Sequence, residues 1–221
     1  MAIRKEQSLT NRLVQKPAPG AALWELEELV QSLALDFPIL ARYLGDNRLR
    51  AAALEYNTML GASAPAVAAL GGEFPSYMAR AKRFSHHPEI AELAMLEQSF
   101  KPGLEPGVLG FEVVSRMTDA TEIARLRLHP WAKILEFKQN TTSLWSAIKC
   151  GEAPPRAYQL DVPQQVLVWH KNHLPRFRIL GDDEAEALGA FASNPSAAPP
   201  YFPGWVEAGL VVAPMGEISN K

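Results

Sequence analysis

Five histidines and one cysteine are the residues of this 221-residue chain from which a metal or nucleophilic site would have to be built. His170 and His173 form an His-x-x-His pair, yet they sit in a β-prone run entering a turn, where this spacing does not put two imidazoles on one face as it would on a helix. The pair reads as turn residues. His86 and His87 precede Pro88 and Glu89, where His87 suits the cap of a helix, and His129 before Pro130 suits the fixing of a loop. Cys150 follows Lys149 at the end of a helix. The lysine favours a thiolate and the negative helix terminus opposes it, which leaves a small packed side chain. With one cysteine, neither an intrachain disulfide nor a multi-cysteine cluster can form. No His-Glu-x-x-His, Gly-rich phosphate loop or Gly-x-Ser-x-Gly elbow occurs. Glu97 shares a helical face with Ile90 and Leu93 and needs a partner, with Arg42, Arg48 and Arg80 as candidates. These residues imply no catalytic site, no metal site and no cofactor in this chain.

Binding is better served. Gln165 to His170 and Arg176 to Leu180 are β-prone runs separated by Lys171 to Pro175, the pattern of a hairpin. In a domain with few strands such a hairpin leaves either an open edge, to which an extended peptide adds through main-chain hydrogen bonds, or an edge that another segment of the chain covers. The side chains expected to receive it are Val166, Val168, Trp169, His170, Phe177 and Ile179 of the hairpin and Leu188 of the helix after Gly181. The strands between residues 123 and 137 are the competing location. Trp131, Trp145, Trp169, Tyr201, Phe202 and Trp205 crowd into the second half, and those beside prolines and turns are expected as interface anchors.

The elements that must position these residues are mostly helical at first. Leu23, Leu26, Leu29, Val30, Leu33 and Phe37 recur at helical steps up to Pro38, and Leu40, Leu44, Leu49, Leu54 and Leu60 continue the stripe across a Gly45-Asp46-Asn47 turn. Pro65 to Leu70 and a helix from Phe74 follow, and Pro88 opens a helix over 88–100. Proline and glycine thicken from Lys101 to Gly107, the expected domain boundary. Beyond it, strands are expected at Ile123 to Leu128 and Ile134 to Phe137, then a short helix capped by Thr141 or Thr142. An irregular stretch over 151–163 leads to the hairpin. A carboxylate-capped helix from Gly181 to about Ala192, a short helix from Trp205 to Gly209 and an apolar run from Leu210 to Ala213 complete the chain. The fold class is α+β: an arm over 1–20, a helical bundle over 21–107, and a small mixed strand and helix domain over 108–221, winged-helix-like, for peptide recognition.

Composition agrees with a globular protein of 48% hydrophobic and 21% charged residues. Lys plus Arg is 22 against 24 Asp plus Glu, and each half, divided after Gly110, holds 11 basic and 12 acidic residues. Without a cationic cluster, affinity for nucleic-acid phosphates would be poor. The stretch over 56–72 is too interrupted to span a bilayer, and no apolar core follows the N-terminal charges, so a cytoplasmic protein without membrane contact is expected.

Asp36-Phe37-Pro38, Tyr43-Leu44-Gly45, Gly72-Glu73-Phe74-Pro75, Leu93 to Glu97, Arg127 to Pro130, Leu167 to Lys171 and Trp205 to Leu210 form an ordered series. In order and spacing it resembles the HvfC/BufC family, described as DNA-binding proteins, over about residues 26–212. The sequence departs from the typical pattern before Leu26. The resemblance implies a TglI-like or MbnC-like partner subunit of a TIM-barrel multinuclear iron oxygenase. Such a subunit would form a heterodimer with the oxygenase, hold the leader of a ribosomally made precursor peptide and present its cysteine for modification, the iron residing in the partner. The alternative is a DNA-binding transcriptional regulator with a winged-helix-like domain.

Overall fold

The computed structural model describes residues 19–60, 71–101, 111–113, 123–172, 174–195 and 198–214, with side chains over 26–60, 71–101, 123–172, 174–195 and 198–213. Two compact units are present, Met1–Phe74 and Pro75–Lys221. The boundary expected over 101–107 falls almost wholly outside the described residues, as do most of the arm over 1–20 and the segment over 65–70.

The first unit is built from α1 (Pro19–Asp36), α2 (Pro38–Leu44) and α3 (Asp46–Leu60). Proline disfavours a helical conformation in the residue before it, and Phe37, at φ −132°, leaves the helix there while Pro38 opens α2. Gly45 alone turns the chain into α3, at φ 71°, where a side chain would be strained. Leu29, Leu33, Leu40, Leu49, Ala52, Ala53 and Tyr56 face inward. The rings of Phe37 and Tyr56 pack on Phe74 at 5.3 and 5.1 Å. Leu54, expected on this stripe, is 53% exposed, because α3 turns Ala52, Ala53 and Tyr56 inward instead. Burial, with Glu73 nearby, pushes the Tyr56 phenol above its usual range.

The second unit holds α4 (Phe74–Arg80, from Pro75 on), α5 (Pro88–Ser99) and two antiparallel three-stranded sheets. One sheet has the order β1 (Phe111–Val113), β6 (Val211–Pro214), β2 (Arg127–Leu128). The other has β3 (Lys133–Gln139), β4 (Gln159–Lys171) and β5 (Leu174–Ile179), with β4 in the middle. Helices α6 (Thr141–Lys149), α7 (Asp182–Ser193) and α8 (Phe202–Glu207) fill the connections.

Every residue of Val166-Leu167-Val168-Trp169-His170 is buried, as a central strand covered on both faces requires. Val166 and Val168 join Phe137 and Leu96 of α5 in one layer, with Phe100, Leu135, Trp145 and Phe177 against it. Leu167 and Trp169 point the other way, into a larger core with Leu188 and Phe191 of α7, Phe202 and Trp205 of α8, and Val211 of β6. Helices thus precede a strand-rich C-terminal half, as the sequence pattern predicts.

Several local expectations are corrected. β4 begins at Gln159 and runs through Pro163, where irregular chain was expected. The pairing with β3 shifts register between Phe137 and Gln139, and that irregularity accommodates the proline. Leu174 and Pro175 belong to β5, because Lys171 pairs with Leu174 across a two-residue loop whose Asn172 adopts φ 53°. Ile123 is helical, its carbonyl accepting from the Leu126 N–H at 3.0 Å, rather than part of a strand. The N-caps of α6 and α7 are Asn140 and Gly181, and neither helix has a side-chain cap. Thr141 donates to Glu92 instead, and Thr142 to Gln164 at 3.0 Å.

Glu92 closes the corner between β3 and α6. Its carboxylate accepts the backbone N–H groups of Lys138 at 2.8 Å and Gln139 at 3.1 Å as well as the Thr141 hydroxyl. Hydrogen bonds to a charged acceptor contribute about 1.5–3 kcal/mol, and donors stripped of their acceptor add a desolvation cost. Replacing Glu92 by Ala should therefore lower unfolding free energy by about 2 kcal/mol or more. Urea denaturation measures this, and Glu92→Gln, which keeps an acceptor, should lose less.

Candidate peptide-binding edge

A three-stranded sheet has two edges, and the antiparallel ladder fixes which backbone groups each one offers. Along each strand, alternate residues turn their N–H and C=O toward one neighbour, then toward the other. The Leu180 N–H donates to the Gln165 carbonyl at 2.8 Å, and Lys171 pairs with Leu174 at the loop. With these ends fixed, Leu174, Arg176 and Arg178 turn their backbone groups toward β4, and Pro175, Phe177 and Ile179 turn theirs outward. A proline in a sheet belongs where its missing N–H would face away from a partner strand, and Pro175 obeys that rule. The edge of β5 therefore presents the N–H groups of Phe177 and Ile179 and the carbonyls of Pro175, Phe177 and Ile179. On β3 the outward residues are Ile134, Glu136 and Lys138, and the Lys138 N–H is already taken by Glu92. Among the described residues β5 is thus the less obstructed edge.

The side chains of β5 divide by the same alternation. On one face Phe177 stacks on Phe100 at 5.9 Å and meets Trp145 edge-on at 5.3 Å, while Trp145 itself packs edge-on against Phe100 at 5.4 Å. The Lys149 ammonium lies 5.9 Å above the Trp145 ring, and Ile179 is 49% exposed at the rim. On the opposite face stand Arg176 and Arg178. Arg178 makes a two-pronged ion pair with Glu184 of α7, and Glu184 also accepts the Trp205 indole N–H at 2.8 Å. Arg176 is exposed and forms no ion pair among the described residues.

Of the residues expected to contact a peptide, Phe177 and Ile179 stand at this edge. Val166 and Val168 are buried beneath α5, and Leu188 is buried in the opposite core. Trp169 is buried there too, its indole N–H donating to the Ala208 carbonyl at 3.0 Å. His170 donates from Nε2 to the Phe100 carbonyl at 2.9 Å, since a carbonyl only accepts. These five side chains build the support of the edge rather than its surface. Arg176 and the Arg178–Glu184–Trp205 network escaped the sequence reading. The alternation Arg176-Phe177-Arg178-Ile179 behind a proline was the available signal.

His129 Nδ1 accepts the Trp131 backbone N–H at 3.2 Å, which fixes the loop as expected. The rings of His129, Trp131 and His170 form a row, at 5.3 and 5.2 Å. His87 occupies the N-cap of α5 without a capping bond, because its Nδ1 meets the Glu89 carboxylate at 3.1 Å. Cys150 is exposed and Glu97 is buried. His173 lies outside the described residues. Among the described residues no group of three or more His, Cys, Asp or Glu side chains is arranged to hold a metal ion, and no helix is long and apolar enough to cross a membrane. No protein-family model matches the chain, and no curated protein matches it.

Two groups make the support of this edge sensitive to acid. The hydrogen bonds from Arg178, reinforced by the one from Trp205, hold the Glu184 carboxyl below its ordinary 4.5 against the opposing effect of burial. Burial, with His170 nearby, holds the His129 imidazole below its ordinary 6.5. In both cases the unfolded chain binds protons before the folded one, so stability is complete above the ordinary value and falls as pH drops through the folded value. Thermal stability should fall first below about pH 6.5, from His129, and again below about pH 4.5, from Glu184. His129→Gln should flatten the first step and Glu184→Gln the second.

Proposed function

We propose that this chain is a non-catalytic partner subunit that holds the leader of a ribosomally made precursor peptide as an added strand on β5. From there the peptide's cysteine reaches the iron site of a TIM-barrel multinuclear iron oxygenase in a heterodimer. The observation that carries the reading is the β5 edge: outward N–H and C=O groups on a strand whose back is packed between α5 and α7. Main-chain pairing there supplies affinity and the alternating side chains supply specificity. The ordered motif series from Leu26 onward supports the oxygenase as partner. Tethering the leader raises the effective concentration of the cysteine at the iron, so this subunit accelerates turnover without touching the chemistry. This reading puts iron in the partner and the pair in the cytoplasm, where the precursor is made.

A second reading, a winged-helix-like regulator bound to duplex DNA, draws on the succession of α6 and the β4–β5 hairpin. The acidic first turn of α7, with Asp182, Asp183 and Glu184, and the balanced charge weigh against it. Mobility shift at physiological salt separates the two, and retardation of promoter DNA would favour the regulator.

Co-expression with the oxygenase should give a heterodimer in size exclusion, with an interface of ~1,200–2,000 Å² or more. Iron should follow the oxygenase. Stoichiometric iron retained by this chain alone through dialysis would overturn the proposal. Ile179→Pro removes one outward N–H, and anisotropy of a labelled leader should report affinity weakened by about tenfold or less, the worth of one main-chain bond.

A further inference from the structure

We infer that the peptide taken by β5 alternates apolar and acidic residues, with a carboxylate set beside Arg176. The inference rests on strand addition at this edge and specifies what it selects. Residues of an added strand that share the Phe177 face meet Ile179 at the rim and the aromatic wall of Phe100, Trp145 and Phe177. Apolar side chains belong there. Residues on the other face meet the two arginines. Arg178 already has Glu184, whereas Arg176 is exposed and unpaired among the described residues. Lys171, which shares that face, extends its ammonium to the Glu207 carbonyl at 2.7 Å and adds to the positive potential at the loop end of the strand. At the other end Asp182 and Asp183 are exposed immediately after Gly181 and repel a carboxylate. Charge therefore places the acidic residue near Arg176 and away from the start of α7.

The same charges argue against a second copy of this chain as the occupant. Two β5 strands paired about a two-fold axis at Phe177 would set Arg176 of each directly across from Arg178 of the other, and like charges across a ladder destabilise it. An acidic strand removes that conflict and pairs the free guanidinium.

The test uses the full chain and short labelled peptides read by fluorescence anisotropy: alternating valine and glutamate, alternating valine and lysine, and the glutamate peptide N-methylated on one or the other set of alternate amides. The glutamate peptide should bind about fivefold more tightly than the lysine peptide, the size of one exposed ion pair. Arg176→Gln should erase that preference and Arg176→Glu should invert it. Arg176 is exposed, and both variants should keep the circular dichroism of the unaltered chain. Equal affinities on the unaltered chain, or a preference that Arg176→Glu does not move, would overturn the charge assignment. So would failure of the glutamate peptide to bind at millimolar concentration. One N-methylated set should bind and the other should not, and tolerance of both sets would overturn strand addition itself.

Discussion

The second unit depends on the two-sided pairing of β4. Five consecutive residues, Val166 to His170, are buried, and they can be buried because β3 and β5 satisfy their backbone groups on both sides while helices cover both faces. Over this stretch the backbone groups left unpaired in the sheet consequently lie on its two outer strands. Glu92 engages the backbone at the end of β3, and the loop at Asn172 sets the register that turns Phe177 and Ile179 outward on β5. A buried strand thus determines an exposed edge. Loss of a buried valine from β4 would disturb binding only through the fold, whereas changes on β5 act on the surface directly.

The edge is held rigid from behind. Arg178 ties β5 to α7 through Glu184, and Glu184 ties α7 to α8 through the Trp205 indole. On the other face Phe177 is gripped by Phe100 and Trp145. A strand that is already ordered spares any added strand part of the entropic cost of pairing. The row of His129, Trp131 and His170 supports the opposite end of the hairpin, with His170 fastened to the Phe100 carbonyl. Acid weakens the supports that rest on Glu184 and His129.

Much of this was legible in the sequence where local chemistry decided the outcome. Pro38 and Pro88 open helices because their missing N–H costs nothing at that position, and the apolar run over 165–170 forms a strand because only burial on both faces suits it. What escaped depended on partners distant in the chain. Thr141 looked like a cap, but Glu92, far upstream, claims its hydroxyl. Pro163 looked like a break, but a register shift against β3 accommodates it. Strand order cannot be read from a hairpin alone: the sequence sets Val166 and Val168 beside Phe177 and Ile179, although β4 lies inside the sheet and β5 at its rim. Arg176 and Arg178 look equivalent until Glu184 is placed against only one of them.

Strand addition at β5 is the claim on which the functional account turns, and amide hydrogen exchange tests it residue by residue. In the free chain the amides of Phe177 and Ile179 should exchange fast while those of Val166 and Val168 are slow. With saturating peptide, Phe177 and Ile179 should become protected and Ile134 and Glu136 of β3 should not change. Protection appearing at Ile134 and Glu136 instead, or no new protection at Phe177 and Ile179 when the peptide is bound, would contradict the account.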